Sequence, residues 1–385
     1  MSNSNNNNSK FYKTNCIKIS NSDDIKDYFT FDSENDLLGE GSFGSVFKGV
    51  KNEENGEFLK NIPSGVEVAI KKIDKDSFDK NEISILDKVK NLDNVVKYYG
   101  CLYDDFYIYI IMEYIKGLDF FEYIRKNPDN KKRVYNNILS ICIKLAIAID
   151  DLHKLGIIHN DIKIENIMVI ENDSKDLNNN LDIKLFDYGF ACELSNIDKC
   201  FLSDGTIKRS DGFINTVTTY TSNTINKYTE AEKKNIFKRK DWWAYIITIF
   251  DMLFSNLPKD EEKKTGVLLQ NKLNKLNYFK EQYPPNIKIE TLLLTLIKRD
   301  NFFSKTSTQI KNEIFTILEI PQSTKNNKNN GSSKNGSSKN SSKKNVSSKN
   351  GSKKLNLKNT KTCKKKSGWF SCFSKRRGSS ISSNV

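Results

Sequence analysis

The sequence predicts an α+β fold, strand-rich towards its N-terminus and mostly α-helical after that. Three observations predict it. Short alternating or continuous apolar stretches recur between Phe31 and Met112, as strands require. Long apolar stripes at helical spacing follow, over residues 137–155 and 244–257. A length of 385 residues allows one large domain or two medium ones with ample core.

In chain order, residues 1–31 are polar, Asn-rich at first, and read as a leader. Residues 43–47 and 67–70 alternate like strands. Residues 81–92 carry Ile83, Leu86 and Val89 on one helical face. Residues 106–112 form a nearly continuous apolar and aromatic run, the pattern of a buried strand. Ile138, Ile141, Leu145, Ile149 and Leu152 mark a long helix. The polar insert 171–180 separates two apolar strands, 167–170 and 181–186, and predicts an elongated hairpin. Residues 189–226 have weak periodicity and many Ser and Thr, whereas 244–257 is apolar nearly all round, as in a buried helix. Beyond Pro321, residues 321–360 are Lys, Asn, Ser and Gly in quasi-repeats, too poor in apolar area to offset the entropy of ordering, and read as a disordered linker.

Charge is unevenly placed. The net charge of +14 comes from the end of the chain: 17 Lys and Arg, and no Asp or Glu, lie from residue 322 onward. The remaining 45 basic and 48 acidic residues nearly cancel, so the basic balance belongs to the tail and not to the folded region. No apolar run approaches the ~18 residues of a membrane span. The first residues lack the basic and apolar regions of a secretory signal, Ser2 argues against myristoylation, and the last four residues hold no Cys for prenylation. The seven Cys show no C-x-x-C spacing and the chain has two His, which argues against zinc and for scattered reduced thiols in a cytoplasmic protein.

Six short motifs occur in order. They are the glycine loop Gly39-Glu40-Gly41-Ser42-Phe43-Gly44; Val68-Ala69-Ile70-Lys71; Glu82 on the predicted helix; His159-Asn160-Asp161-Ile162-Lys163-Ile164-Glu165-Asn166; Asp187-Tyr188-Gly189; and Asp241-Trp242-Trp243. Glycines let backbone amides approach phosphate oxygens, and clustered carboxylates and lysines suit charge stabilisation during transfer of an anionic group. Alone, a G-x-G-x-x-G is weak and fits a bare hairpin, while Lys71 and Glu82 fit an exposed strand end and a solvated helix. Together, from about residue 32 to 320, the motifs resemble a eukaryotic protein kinase of the serine/threonine type.

The resemblance implies a bilobal protein kinase fold and roles residue by residue. Leu38, Gly39, Glu40, Gly41, Ser42, Phe43, Gly44, Ser45, Val46 and Ala69 would surround ATP, with Val46 over the adenine. Lys71 would hold the α- and β-phosphates, steadied by Glu82 across a gap of eleven positions that is short for the family. Met112 would guard the back of the adenine pocket, while the Glu113 carbonyl and Ile115 amide meet the adenine edge and Asp119 reaches the ribose. Asp161 would orient the substrate hydroxyl and accept its proton, with Lys163 on the γ-phosphate and Asn166 and Asp187 holding Mg2+. His159 and Asp241 would support the catalytic loop, and His153, Trp242 and Trp243 would be structural. The expected activity is phosphorylation of Ser or Thr on protein substrates.

The pattern departs from the family in three places. Asn160 replaces the Arg before the catalytic Asp (a non-RD variant), which predicts less dependence on a phosphorylated activation segment. Tyr188 replaces Phe. Ser222-Asn223-Thr224 stands where A-P-E is usual, with Ser304 or Lys305 at the position of its Arg partner. These departures leave open a pseudokinase-like, nucleotide-binding scaffold; a lipid or small-molecule kinase is a weaker alternative. The tail, 361–385, joins basic clusters to Trp369, Phe370, Phe373, Cys363 and Cys372. It suits an anionic membrane surface, which would make the protein membrane-associated; nucleic acid binding, nuclear import and a plain solubilising tail are the rival readings.

Overall fold

The structure is a computed structural model. It describes residues 11–322 except 14, 21–24, 42–43, 53–61, 121, 124–130, 173–180, 201–225, 255–286, 297–301 and 303. The linker from residue 323, the tail, Ser42, Phe43 and the 222–224 triplet therefore lie outside the described residues.

Alternating and apolar stretches become strands where the pattern places them. In the N-terminal lobe these are β1 (Ile17–Lys18), β2 (Phe29–Thr30), β3 (Leu37–Gly41), β4 (Gly44–Lys51), β5 (Glu67–Asp74), β6 (Tyr98–Tyr103) and β7 (Tyr107–Glu113). They form one seven-stranded sheet in the order β1-β6-β7-β5-β4-β2, with β3 paired to β4. The glycine loop is the β3–β4 hairpin, and the β4–β5 register sets Val46 opposite Lys71. Helix α1 (Lys80–Val89) starts at Asp79, whose carboxylate accepts the Asn81 amide. It buries Ile83, Ile85, Leu86 and Val89 against the sheet, and Glu82 with them.

Residues 1–31 are more than a leader. From Cys16 onward the segment joins the lobe: β1 runs parallel to β6 with Ile17 opposite Leu102, and β2 pairs with β4. Ile19, Ile25 and Phe29 are buried in a cluster with Val68, Ile70, Leu102 and Ile111. The polar composition of the first residues concealed these four-to-six-residue spacings. Phe106, read as part of a buried strand, instead lies at the β6–β7 turn and is 72% exposed, because Asp104 accepts the Phe106 and Tyr107 amides and closes the turn there.

The C-terminal lobe is built on helices α2 (Lys131–Lys154), α3 (Glu230–Phe254), α4 (Ile287–Leu296) and α5 (Ser307–Leu318). The predicted α2 stripe is buried throughout, with Cys142 added to it. Helix α3 begins fourteen residues before the apolar stretch that predicted it. Thr229 and Glu232 form reciprocal bonds there, the Thr229 amide to Oε2 at 2.8 Å and the Glu232 amide to Oγ1 at 3.3 Å. Small strands β8 (Leu118–Asp119), β9 (Ile157–Ile158), β10 (Ile167–Glu171), β11 (Leu181–Leu185) and β12 (Cys192–Glu193) make two further sheets, β11-β10-β8 and β12-β9. The β10–β11 pairing is the predicted hairpin. Among the described residues no helix is long and apolar enough to cross a membrane.

The expectation of scattered reduced thiols is corrected. Disulfides join Cys16 to Cys101 and Cys192 to Cys200. Sequence spacing hid both, since the first pair is 85 residues apart and meets only through β1–β6 pairing. Cys142 is free and buried in α2, and burial pushes its thiol pKa up.

Phe29 is fully buried, so Phe29→Ala is expected to lower unfolding free energy by about 3–5 kcal/mol in a denaturant titration. A residue in a loose leader would leave the midpoint unchanged.

Candidate active site

One strand, a helix and two loops deliver the polar side chains to one place. Lys71 on β5 extends toward α1, where its Nζ lies 2.5 Å from Glu82 Oε1 and 3.6 Å from Asp187 Oδ1. The short gap between the two residues is spanned by a single 3-10 turn, Lys75–Ser77, before α1 begins. Burial works against the Lys71 charge, but Glu82 and Asp187 outweigh it and hold the ammonium above its ordinary pKa. The cavity beside this pair is lined by Val46, Leu86, Met112, Phe186, Asp187 and Tyr188.

The catalytic loop, residues 159–166, is held from below by α3. Asp241 Oδ2 accepts the His159 amide at 2.9 Å and faces His153 Nε2 at 3.0 Å, and its Oδ1 accepts the Asn160 amide at 3.0 Å. Burial alone would raise the Asp241 pKa; the His153 hydrogen bond, the two histidines and the backbone amide outweigh it and bring it below the ordinary 3.8. His159 Nε2 lies 3.2 Å from the Phe186 carbonyl, and its ring packs on Tyr188 with centroids 4.9 Å apart. Both histidines are buried and engaged by neighbouring groups of the fold.

Asp161 is 2% exposed. Its Oδ2 accepts Lys163 Nζ at 2.8 Å and Asn166 Nδ2 at 2.9 Å, and Asn166 Nδ2 also reaches the Asp161 carbonyl at 2.8 Å. Burial raises the Asp161 pKa against the pull of Lys163. Burial also opposes the Lys163 charge, yet Asp161 and Glu165 keep its pKa raised. Asp187 carries a left-handed backbone at φ 64, and Asn160 does the same at φ 68, a conformation Asn and Asp tolerate better than most residues.

The donors gathered here bear on whether a cation fits. Asn166 Oδ1 is buried and has no hydrogen-bond partner, an acceptor left over once its amide has bound Asp161. Glu82, Asp161 and Asp187 set three carboxylates against the two ammonium groups of Lys71 and Lys163, a buried excess of negative charge. Hard oxygen donors in that setting suit Mg2+.

At the glycine loop, a Cβ on Gly44 would lie 1.9 Å from the Lys72 carbonyl, and its φ of 129 is a glycine conformation. Leu38 packs on the core, Ser45 faces Lys72 in register and Ala69 is fully buried next to Met112 in the β5–β7 ladder. Glu113 is tied across the lobes, its Oε1 accepting the Lys97 amide at 2.8 Å and Lys184 Nζ at 3.0 Å, while Ile115 is buried. Asp119 is committed to a local role, its Oδ1 accepting the Glu122 amide at 2.8 Å. Lys305 pairs with Glu313 at 2.7 Å, a partner within its own end of the lobe. The sequence reading missed Lys240, which is 6% exposed and donates to Asn160 Oδ1 at 2.8 Å. Burial pushes its pKa down to about 7, with Asp241 and Asp161 pulling the other way. A lysine directly before Asp241, on the buried side of a helix, was the available signal.

A glycine hairpin between β3 and β4, a Lys71–Glu82 pair reaching Asp187, and a buried Asp161 beside Lys163 and Asn166 are the parts that phosphoryl transfer calls for. The chain belongs to the protein kinase family, whose protein kinase domain model matches residues 33–338. It is 35% identical over 178 residues to probable serine/threonine-protein kinase fnkE of Dictyostelium discoideum, covering 44% of this chain and 13% of that one. It is 36% identical over 153 residues to dual specificity protein kinase zakA of the same organism, covering 40% and 18%. Human ribosomal protein S6 kinase alpha-2 is 27% identical over 269 residues, 69% of this chain and 32% of that protein. The match thus spans a third or less of each of these relatives. A solved structure of Rad53 1–466 in complex with AMP-PNP aligns with a TM-score of 0.47 at 18% identity, over 75% of this chain and 66% of that one.

Two outcomes follow from burial. The Tyr188 hydroxyl is buried without a hydrogen-bond partner, so Tyr188→Phe is expected to raise stability by about 1–3 kcal/mol in a denaturant titration. Because the Asp241 pKa is depressed on folding, its contribution is present above the ordinary 3.8 and lost as pH falls through the lower folded value. Asp241→Asn is expected to cost about 3–5 kcal/mol at pH 7 and to flatten the acid limb of a stability–pH curve.

Proposed function

We propose that this chain transfers the γ-phosphate of ATP to serine or threonine hydroxyls of protein substrates, with magnesium. The observation that carries the reading is the joined geometry of the two polar groups: Lys71 held by Glu82 while reaching Asp187, and Asp161 held by Lys163 and Asn166. A pair of 2.5 Å between β5 and α1 sets the ammonium where α- and β-phosphates would lie beneath the β3–β4 hairpin. Lys71 binds and orients them. Asn166 Oδ1 and Asp187 would hold the metal, which supplies charge neutralisation between the phosphates when bound.

The Asp161 carboxylate then receives the proton of the attacking hydroxyl on Oδ1, the oxygen that Lys163 and Asn166 leave open. As the new oxygen–phosphorus bond forms and the bond to the departing ADP oxygen breaks, Lys163 balances charge on the transferring group. The raised Asp161 pKa suits a proton acceptor, since it lies closer to working pH than a solvated carboxylate does. The likeness to both serine/threonine and dual specificity kinases supports a hydroxyl acceptor on protein. A scaffold that binds nucleotide without transfer has no need of Asp161 and Lys163 at 2.8 Å.

Asp161→Asn is expected to lower phosphate transfer from radiolabelled Mg-ATP to mixed Ser/Thr peptides by about 10²–10⁴-fold, while Mg-ATP still raises its melting temperature. Transfer at the wild-type rate by this variant would remove Asp161 from the chemistry. A wild-type protein that is stabilised by Mg-ATP yet transfers nothing would favour the scaffold.

A further inference from the structure

We propose that Lys240 is a positioning residue for phosphoryl transfer: reaching from α3 into the catalytic loop, it orients the Asn160 side chain, and Asn160 holds Phe190 and the backbone that carries Asp161. The proposal rests on the kinase reading above for its kinetic consequence, though not for its geometry.

The chain of contacts is short and buried. Lys240 Nζ donates to Asn160 Oδ1 at 2.8 Å, and Asn160 Nδ2 donates to the Phe190 carbonyl at 3.1 Å, with Cys192 Sγ at 3.5 Å. The Asn160 amide nitrogen is meanwhile fixed by Asp241 at 3.0 Å. Asn160 is 1% exposed and precedes Asp161 directly, while Phe190 lies three positions after Asp187. One carboxamide therefore links the loop of the proton acceptor to the segment that follows the metal-holding motif.

The orientation of that carboxamide is set by chemistry. With Lys240 Nζ donating on one side and the Phe190 carbonyl, which only accepts, on the other, the amide oxygen faces Lys240 and the NH2 faces Phe190. Without a donor on the Lys240 side the buried amide oxygen loses its partner, and the Phe190 carbonyl and Cys192 Sγ are left to hold the carboxamide. Burying an amine is costly, and an apolar residue of similar length would fill the same space without that cost. The Asp241 and Asp161 carboxylates offset part of it. Lys240 thus serves from another element as the cation behind the catalytic loop, in a chain whose own loop carries Asn160 where the family has Arg.

The test compares Lys240→Met, Lys240→Arg and Asn160→Gly, the glycine tolerating the positive φ of that site. Lys240→Met is expected to lower kcat about 10–100-fold while KM for Mg-ATP stays within about twofold, because misplacing a catalytic group affects chemistry more than nucleotide binding. Lys240→Arg is expected to recover at least about half of the wild-type kcat, since it restores the donor. In the Asn160→Gly background, Lys240→Met is expected to lower kcat no further, the signature of two residues acting as one unit. Equal losses in both backgrounds, or wild-type kcat in Lys240→Met, would overturn the proposal.

Hydrogen exchange supplies a readout independent of activity. The Ala191 and Leu194 amides bond to the Tyr188 and Gly156 carbonyls at 3.0 and 2.7 Å. Both are expected to exchange about tenfold faster in Lys240→Met and in Asn160→Gly. Unchanged exchange would overturn the positioning role even if the wild-type protein transferred no phosphate, whereas a lack of transfer with faster exchange would sink the kinase reading alone. Should Lys240→Met fail to fold, Asn160→Gly must by itself show the kcat loss and the faster exchange, and wild-type values there would overturn the proposal.

Discussion

The Asp241 carboxylate is the constraint on which the active site depends. Fully buried charge is tolerated only where donors surround it, and here His153, the His159 amide and the Asn160 amide converge on its two oxygens. Those donors come from α2 and from the loop that follows β9, so one side chain on α3 joins three parts of the C-terminal lobe. Trp242, beside it, packs edge-on against the His153 ring and fixes the helix in rotation. The loop can then carry a left-handed Asn160 immediately before Asp161 because the backbone amides around it are already satisfied.

A second layer of the argument is electrostatic. The N-terminal lobe contributes one ammonium and one carboxylate, Lys71 and Glu82, and the C-terminal lobe contributes Asp161, Lys163, Asn166 and Asp187. The N-terminal pair is balanced, whereas the C-terminal group carries one carboxylate more than its single lysine neutralises and holds a bare amide oxygen. Gathering these acceptors out of water costs folding free energy, which the Lys71 and Lys163 pairs offset in part. Glu113, bonded to Lys97 and Lys184, keeps the segment after β7 in step with β11 and so with Asp187 two residues beyond it.

Much of this was legible in the sequence, for identifiable reasons. Gly44 was legible because a glycine that supports a close backbone approach has no substitute, and the α2 stripe because a 24-residue helix must bury one face. Lys71 and Glu82 were legible as types, but their contact depended on how tightly the 3-10 turn closes the path between them, which spacing alone does not encode. Lys240 was hidden because a lysine in a charged run reads as solvated; only the rotation of α3, set by residues further along, turns it inward. Both disulfides were hidden because strand pairing and a local turn, not sequence proximity to a motif, bring the sulfurs together. Phe106 failed in the other direction, since apolar composition cannot show that an Asp two residues earlier will close a turn.

The burial of Phe29 and Ile25 separates two boundaries that are often treated as one. Likeness to the family begins at residue 33, but hydrophobic burial begins near Cys16, which a covalent bond anchors to β6. A fragment cut where the likeness starts would uncover Val68, Ile70 and Ile111 on one sheet face and leave the β6 edge without its neighbour. For this chain the stretch that matches the family and the stretch that completes the packing of the sheet are therefore different lengths of polypeptide. The added strip does for the back of the sheet what a partner protein would otherwise have to do.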